Sequence, residues 1–252
     1  MKKLAILVVT AVVVFSSCIW DVLGEAGNGV SVDTAIEVPE FNSISVPSSV
    51  DVYYVQTPMK QSLTLTCDEN LVEFFLINVE DGALVISTKP GVSIRPKVDT
   101  YLTVYSPTLE AVKLSGSGDV HIGSPIVSEG DFAIRISGSG DVETSGTVSC
   151  RNFSARTSGS GDASVAGVTA ASAEFKSSGS GDLESDSVTA EEVSVALSGS
   201  GDCELVCRNA GIVQVRISGS GDCTLSGSAA TLANLSLSGS GDLDVSRLVV
   251  GR

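Results

Sequence analysis

Through the second half of the chain, apolar and polar residues alternate with period two. Phe153, Ala155 and Thr157, then Val193, Val195 and Leu197, then Val213, Val215 and Ile217 each take every other position, with polar residues between them. Such alternation marks a strand with one buried face. Each run ends in the same pentapeptide, Ser-Gly-Ser-Gly-Asp, at 115–119, 137–141, 158–162, 178–182, 198–202, 218–222 and 238–242. The residue after the Asp is again mostly apolar (Val120, Val142, Ala163, Leu183, Cys203, Cys223, Leu243), so a second strand starts there. Successive Asp residues lie 22, 21, 20, 20, 20 and 20 positions apart, which makes one pentapeptide the property of one structural unit.

A unit of 20 residues holding two or three short strands and a Gly-rich corner fits one coil of a parallel β-helix, with equivalent residues stacked on neighbouring coils. A propeller blade needs about 40 to 50 residues, and a leucine-rich repeat needs a Leu spacing that is missing here. Stacked strands lie about 4.8 Å apart, so six intervals give a column about 29 Å tall. Parity places both serines and the Asp outward and both glycines inward or at the corner. The repeat array is expected over 114–252. Before it, 31–113 reads as strands at 42–46, 50–56, 62–66, 83–88 and 101–105, with a hairpin turn at Asp81-Gly82 and an ambiguous strand or helical stretch over 70–77. This irregular β region is expected to continue the stack and cover its first edge.

The N-terminus changes where such a protein would live. Met1-Lys2-Lys3, an apolar run over 4–15 and Ser16-Ser17-Cys18 form a secretory signal, with a run too short to span a bilayer comfortably. The arrangement resembles the lipobox of bacterial lipoproteins, with Phe15 where Leu is usual. It implies a signal peptide over 1–17, lipidation of Cys18 and a linker over 18–30. The expected location is the cell envelope, lipid-anchored at the outer membrane, periplasmic or surface-exposed. Five further cysteines remain, Cys67, Cys150, Cys203, Cys207 and Cys223, an odd number that leaves at least one thiol free and does not dictate pairing. Cys203 and Cys207 have no second pair, and His121 is the one histidine, so no zinc site is expected.

Formal net charge is −15, and loss of the segment carrying Lys2 and Lys3 makes it more negative. That disfavours nucleic acid as a partner. Stacking turns recurring residues into columns. Asp119, Asp141, Asp162, Asp182, Asp202, Asp222 and Asp242 would stand in line, where neighbours repel by about 0.9 kcal/mol even in water. Each is expected to cap N–H groups of its own turn, with a row of calcium ions as the alternative and no other cofactor. Two residues before each first Ser stand Lys113, Arg135, Arg156, Lys176 and Arg216, a candidate binding face interrupted by Ala196. Two residues after the Asp the column is mostly acidic, with Glu143, Glu184 and Glu204 beside His121. Sugar stacking favours Trp or Tyr; neither occurs after Leu114, which leaves Tyr53, Tyr54, Tyr101 and Tyr105. Catalysis needs unlike residues converging on one point, so no catalytic residue is assigned. Pairs such as Asp182 and Glu184 would serve a polysaccharide-cleaving enzyme, but their recurrence at Asp141/Glu143 and Asp202/Glu204 points to scaffold.

The order of Phe41-Asn-Ser-Ile-Ser-Val, Val50-Asp-Val-Tyr-Tyr-Val-Gln, Asp81-Gly-Ala-Leu-Val-Ile and the run from Leu109 into the repeats resembles the bacterial family described as "putative auto-transporter adhesin, head GIN domain", over about 31–245. The resemblance implies a single-stranded, right-handed parallel β-helix, an envelope location, and a non-catalytic adhesin-like module binding a glycan or protein. A structural protein self-associating through the solenoid edges is the alternative, because the last segment, 243–250, leaves an apolar edge guarded only by Arg247 and Arg252. A polysaccharide-acting enzyme is the third reading.

Overall fold

The computed structural model describes residues 24–251; the signal segment and Cys18 lie outside them. Each repeat forms one coil of a parallel β-solenoid of about seven turns. Phe132–Ile136 lies in register on Ala111–Leu114, and Asn152–Thr157 lies on Phe132–Ile136. The 15-residue strands Ala163–Ser177, Leu183–Leu197, Cys203–Ile217 and Cys223–Leu237 follow, each parallel to the last. Between the first two of these, pairing is interrupted twice, so one strand bends around three sides of its coil.

The period-two positions fill the core. Ile134, Ala155, Phe175, Val195 and Val215 form one inward row, and all are buried. Phe132 and Phe153 stack with ring centroids 6.3 Å apart, and the tilted rings of Phe153 and Phe175 lie 5.4 Å apart. Where the last inward position before the corner is polar, the hydroxyl is satisfied locally: Thr157 Oγ1 donates to the Gly161 carbonyl and Ser177 Oγ to the Gly181 carbonyl, both at 3.0 Å. Parity holds through the pentapeptide, with serines exposed and the second glycine of each copy buried.

The pentapeptide glycines answer to close approach, not to backbone dihedrals, since none of them has positive φ. A Cβ on Gly159, Gly179 or Gly219 would lie 2.0 Å from the carbonyl oxygen of the first glycine of the coil below. A Cβ on Gly181 or Gly221 would meet the second glycine's oxygen, also at 2.0 Å.

The N-terminal region joins this stack out of chain order. Ser43–Val46 and Asp51–Gln56 lie parallel beneath Ala111–Leu114 and Val120–Ile122. Beneath them in turn, also parallel, lie Ala83–Thr88 and Tyr101–Ser106. Antiparallel strands then cover this end: Ser62–Asp68 pairs with Tyr101–Ser106 and with Ser31–Ile36, a strand the alternation did not reveal. Phe75–Glu80 turns back on Ala83–Thr88 through Asp81 and Gly82, both at positive φ. The ambiguous 70–77 stretch divides between a 3-10 helix, Glu69–Phe74, and the start of that strand. Buried Asp68 fastens the cover by accepting N–H bonds from Gly29 (2.6 Å), Lys97 (2.8 Å) and Val98 (3.2 Å). Burial pushes its pKa up, but those donors and the Lys97 charge outweigh burial and hold the carboxyl below its ordinary value.

The opposite end has no such cover among the described residues. Leu235 and Leu237 are 46% and 50% exposed, whereas Val215 and Ile217 one coil below are 1% and 0% exposed. Cys203 and Cys223 are stacked in register inside the solenoid as free thiols, near Cys207.

Substituting Gly201, whose Cβ would meet the Gly181 oxygen at 2.1 Å, by Ala forces two coils apart. A loss of about 3 kcal/mol is expected, seen in thermal melts as a Tm lower by roughly 9 °C. Gly130→Ala, where nothing lies within 4 Å, should melt as the parent does. Burial raises the Cys150 and Cys207 thiols to about 11, and Cys203 is raised by its hydrogen bond to Cys223 and by burial. Thiols raised in the folded state stabilise it fully below the ordinary thiol range and lose that contribution as pH climbs toward about 11. Denaturant midpoints should therefore fall steeply between pH 9 and 11, and less so in a Cys203→Ala/Cys207→Ala variant.

Candidate functional site

At each corner the Asp N–H has no main-chain acceptor, and the Asp carboxylate of the coil below supplies one. In Asp141 both main-chain groups aim at the coil below: its carbonyl accepts from Val120 N–H at 2.8 Å, while its own N–H finds Asp119 Oδ1 at 2.9 Å. The Asp119 carbonyl cannot serve, because it points down to Val52 N–H. The pattern repeats without a gap through Asp162, Asp182, Asp202, Asp222 and Asp242, at 2.7–2.8 Å. The carboxylates thus cap the next coil and not their own turn, because in an extended corner the outward side chain reaches along the stack more easily than back along its own strand. The ladder starts one coil before the repeats, where Asp51 Oδ1 accepts from Asp119 N–H at 2.9 Å. Asp51 carries no Gly signature, and only its place after the Val46–Val50 corner could have identified it. Among the described residues no cluster of three or more His, Cys, Asp or Glu side chains is arranged to hold a metal.

The basic column is also brought into line. Lys113, Arg135, Arg156 and Lys176 are register partners on successive coils, and Arg216 follows after Ala196. A shallow groove of about 320 Å³ runs beside the first four, lined also by Ser137, Ser158 and Ser178. Beyond the corner, Tyr53, His121, Glu143, Ser164, Glu184 and Glu204 form the second outward row. His121 stacks on Tyr53 with centroids 5.0 Å apart, and its Nδ1 lies 3.3 Å from Glu143 Oε2. Tyr101 meets Tyr53 edge-on, so the Tyr53 ring stands among neighbours rather than lying as an open platform. Tyr54 is buried, its hydroxyl 2.9 Å from Ser106 Oγ. A concavity of about 1020 Å³ opens where residues 35–42 face 58–63, with Ile36, Val38, Phe41, Met59 and Leu63 in its wall. Nothing in the sequence pattern marked it.

The family model described as "Putative auto-transporter adhesin, head GIN domain" matches residues 40–210. The chain belongs to this family. Solved structures similar to this head GIN domain include a "putative adhesin" from Bacteroides fragilis, 24% identical, covering 90% of this chain and 100% of its own with a TM-score of 0.79. A "putative adhesin" from Parabacteroides distasonis is 23% identical, covers 89% and 99%, and has a TM-score of 0.70. A "putative lipid binding protein" from the same species is 23% identical, covers 89% and 98%, and has a TM-score of 0.72. At such identities the likeness carries the fold alone. A comparison with curated proteins finds no match. No helix among the described residues is long and apolar enough to cross a membrane, and an adhesin-like bacterial family suggests an envelope or surface location.

If the Asp ladder of this head GIN domain is a backbone cap, Asp162→Ala strands the Asp182 N–H and costs about 1 kcal/mol, whereas Asp162→Asn keeps an oxygen acceptor and costs little. Urea midpoints of the two variants should separate in that order. Equal losses would remove the capping role.

Proposed function

We propose that the protein is a non-catalytic binding module of the bacterial cell envelope, adhesin-like, tethered by a lipid on Cys18 to the outer membrane and presenting the solenoid flank to a ligand. The observation that supports this most is that its outward chemistry repeats. Cations recur along one row, carboxylates along another, and serines between them. A reaction needs unlike groups converging on one atom, whereas a row of like groups suits an extended ligand that makes the same contact again and again. The pairs Asp141/Glu143, Asp182/Glu184 and Asp202/Glu204 likewise recur on several coils, as surface groups rather than as one converging site.

A second reading, assembly, draws on the C-terminal coil. There Leu235, Leu237, Val249 and Val250 are each about half exposed, at the end of a sheet whose strand Leu243–Val250 has, among the described residues, a neighbour on one side only. An uncovered apolar edge is a site for pairing with another copy.

Binding of the purified protein to arrayed glycans, matrix proteins and lipid vesicles tests the first reading, and sedimentation of the same sample tests the second. Saturable binding by a monomer is expected. A concentration-dependent oligomer with no binding to any array member would replace the binding module by the assembly protein.

A further inference from the structure

Four cations share one line at steps of about 4.8 Å, held there by the register pairs Lys113↔Arg135, Arg135↔Arg156 and Arg156↔Lys176. Like charges at this spacing repel, and the fold does little to cancel them. Of the four, Arg156 alone has a carboxylate partner among the described residues, Glu174, with Nε to Oε2 at 2.9 Å. The chain holds 30 acidic residues, yet the rows flanking the cations are almost free of them. On one side stand Ala111, Ala133 and Ser154 before Glu174, and on the other Ser115, Ser137, Ser158 and Ser178. Small flanking side chains leave the long cationic stems standing over an open floor, which is the groove of about 320 Å³.

We propose that the row Lys113, Arg135, Arg156 and Lys176 is a track for a linear acidic polysaccharide lying along the solenoid axis. This rests on the reading of the protein as a binding module and names its ligand class. Guanidinium and ammonium groups repeating at strand spacing match carboxylate or sulfate groups spaced along a chain, and Arg pairs with such planar or multi-oxygen anions through two donors. The parallel row of serine hydroxyls offers acceptors to sugar hydroxyls, the Oγ donors of Ser158 and Ser178 facing the carbonyls of Ile136 and Thr157 at 3.5 Å. Other polyanions fit less well. Single-stranded nucleic acid draws affinity from stacking on exposed aromatic rings, and Phe132, Phe153 and Phe175 behind this face are fully buried. An acidic peptide would want an apolar or aromatic anchor in a pocket, but the groove's one large apolar residue, Ile136, is 2% exposed.

Affinity electrophoresis of the full chain through gels containing polygalacturonate, heparin, dextran or polyphosphate tests the track. Retardation by polygalacturonate or heparin and none by dextran is expected, and it should fade as salt rises from about 50 to about 500 mM. Arg135→Ser/Arg156→Ser should weaken binding at least tenfold, and Lys113→Ser/Lys176→Ser, which leaves the paired Arg156 in place, comparably. Arg208→Ser, exposed but off the track, should not. Melting curves matching the parent show that the variants are folded. The proposal is overturned if neither acidic polysaccharide retards the protein, if both double variants bind as the parent does, or if polyphosphate binds as tightly as polygalacturonate. A neutral glycan or matrix protein held equally by parent and variants, with no polyanion binding, would overturn the track and leave the binding module standing.

Discussion

Each corner of the solenoid rests on the next through a contact that a single methyl group would prevent. At each Ser-Gly-Ser-Gly-Asp corner the carbonyl oxygens of one coil sit about 2 Å from where the Cβ atoms of the next would be. Sheet pairing alone sets a spacing of about 4.8 Å along the flanks, but a corner has to turn and keep that spacing together, and only a backbone without side chains on its downward side does both. The glycines therefore fix which coil lies on which, and every row of like residues follows. The corner at 47–50 shows that the constraint has a direction. There Ser48 and Val50 stand where the repeats have glycine, and the carbonyls of both receive Gly116 and Gly118 from above. The Ser48 side chain itself faces the other way, its Oγ donating to the Ile86 carbonyl at 2.7 Å. Below them Ala83–Thr88 departs and the stack makes no matching corner before Tyr101, so Cβ atoms are admitted.

What could be read from the residues alone was what repeats. Period-two alternation identified the flanks because every coil presents the same inside and outside, and the constant interval between Asp residues identified the coil. The insertion of Ser43–Gln56 between two later segments was not legible, since alternation reports which face of a strand is buried and not which strand is its neighbour. The same blindness explains the Asp caps. Own-turn capping is a local habit of Asp, visible in a sequence window, whereas the bond from Asp141 N–H to Asp119 Oδ1 spans 22 residues and exists only once the coils are stacked. Asp68, which holds Gly29, Lys97 and Val98 together, has partners 39, 29 and 30 residues away and no motif around it.

The two ends of the solenoid meet different needs. Antiparallel strands and the hairpin of Phe75–Glu80 with Ala83–Thr88 close the first end, so a parallel stack begins with its donors and acceptors satisfied. At the other end the alternation continues unchanged into Leu235 and Leu237, as though another coil followed. A repeat buries its face only on a neighbour, and where no further coil lies over them among the described residues Leu235 and Leu237 stay half exposed.

The two outward ladders have the same pitch and opposite standing in the fold. Each Asp from Asp51 to Asp222 is tied to a backbone N–H of the next coil, a charge-assisted bond that offsets the repulsion between neighbours and makes the row part of how coils are joined. Lys113, Arg135 and Lys176 have no comparable partner within the stack. Their alignment is imposed by the register that the glycines set, yet nothing in that register requires them to be basic, as Ala196 and Ser236 at the same position show. A charge that stabilises its own fold explains its presence by removal of the cap; a charge that does not must be explained by what lies outside. That difference, and not exposure or sign, separates the structural ladder from the one available to a ligand.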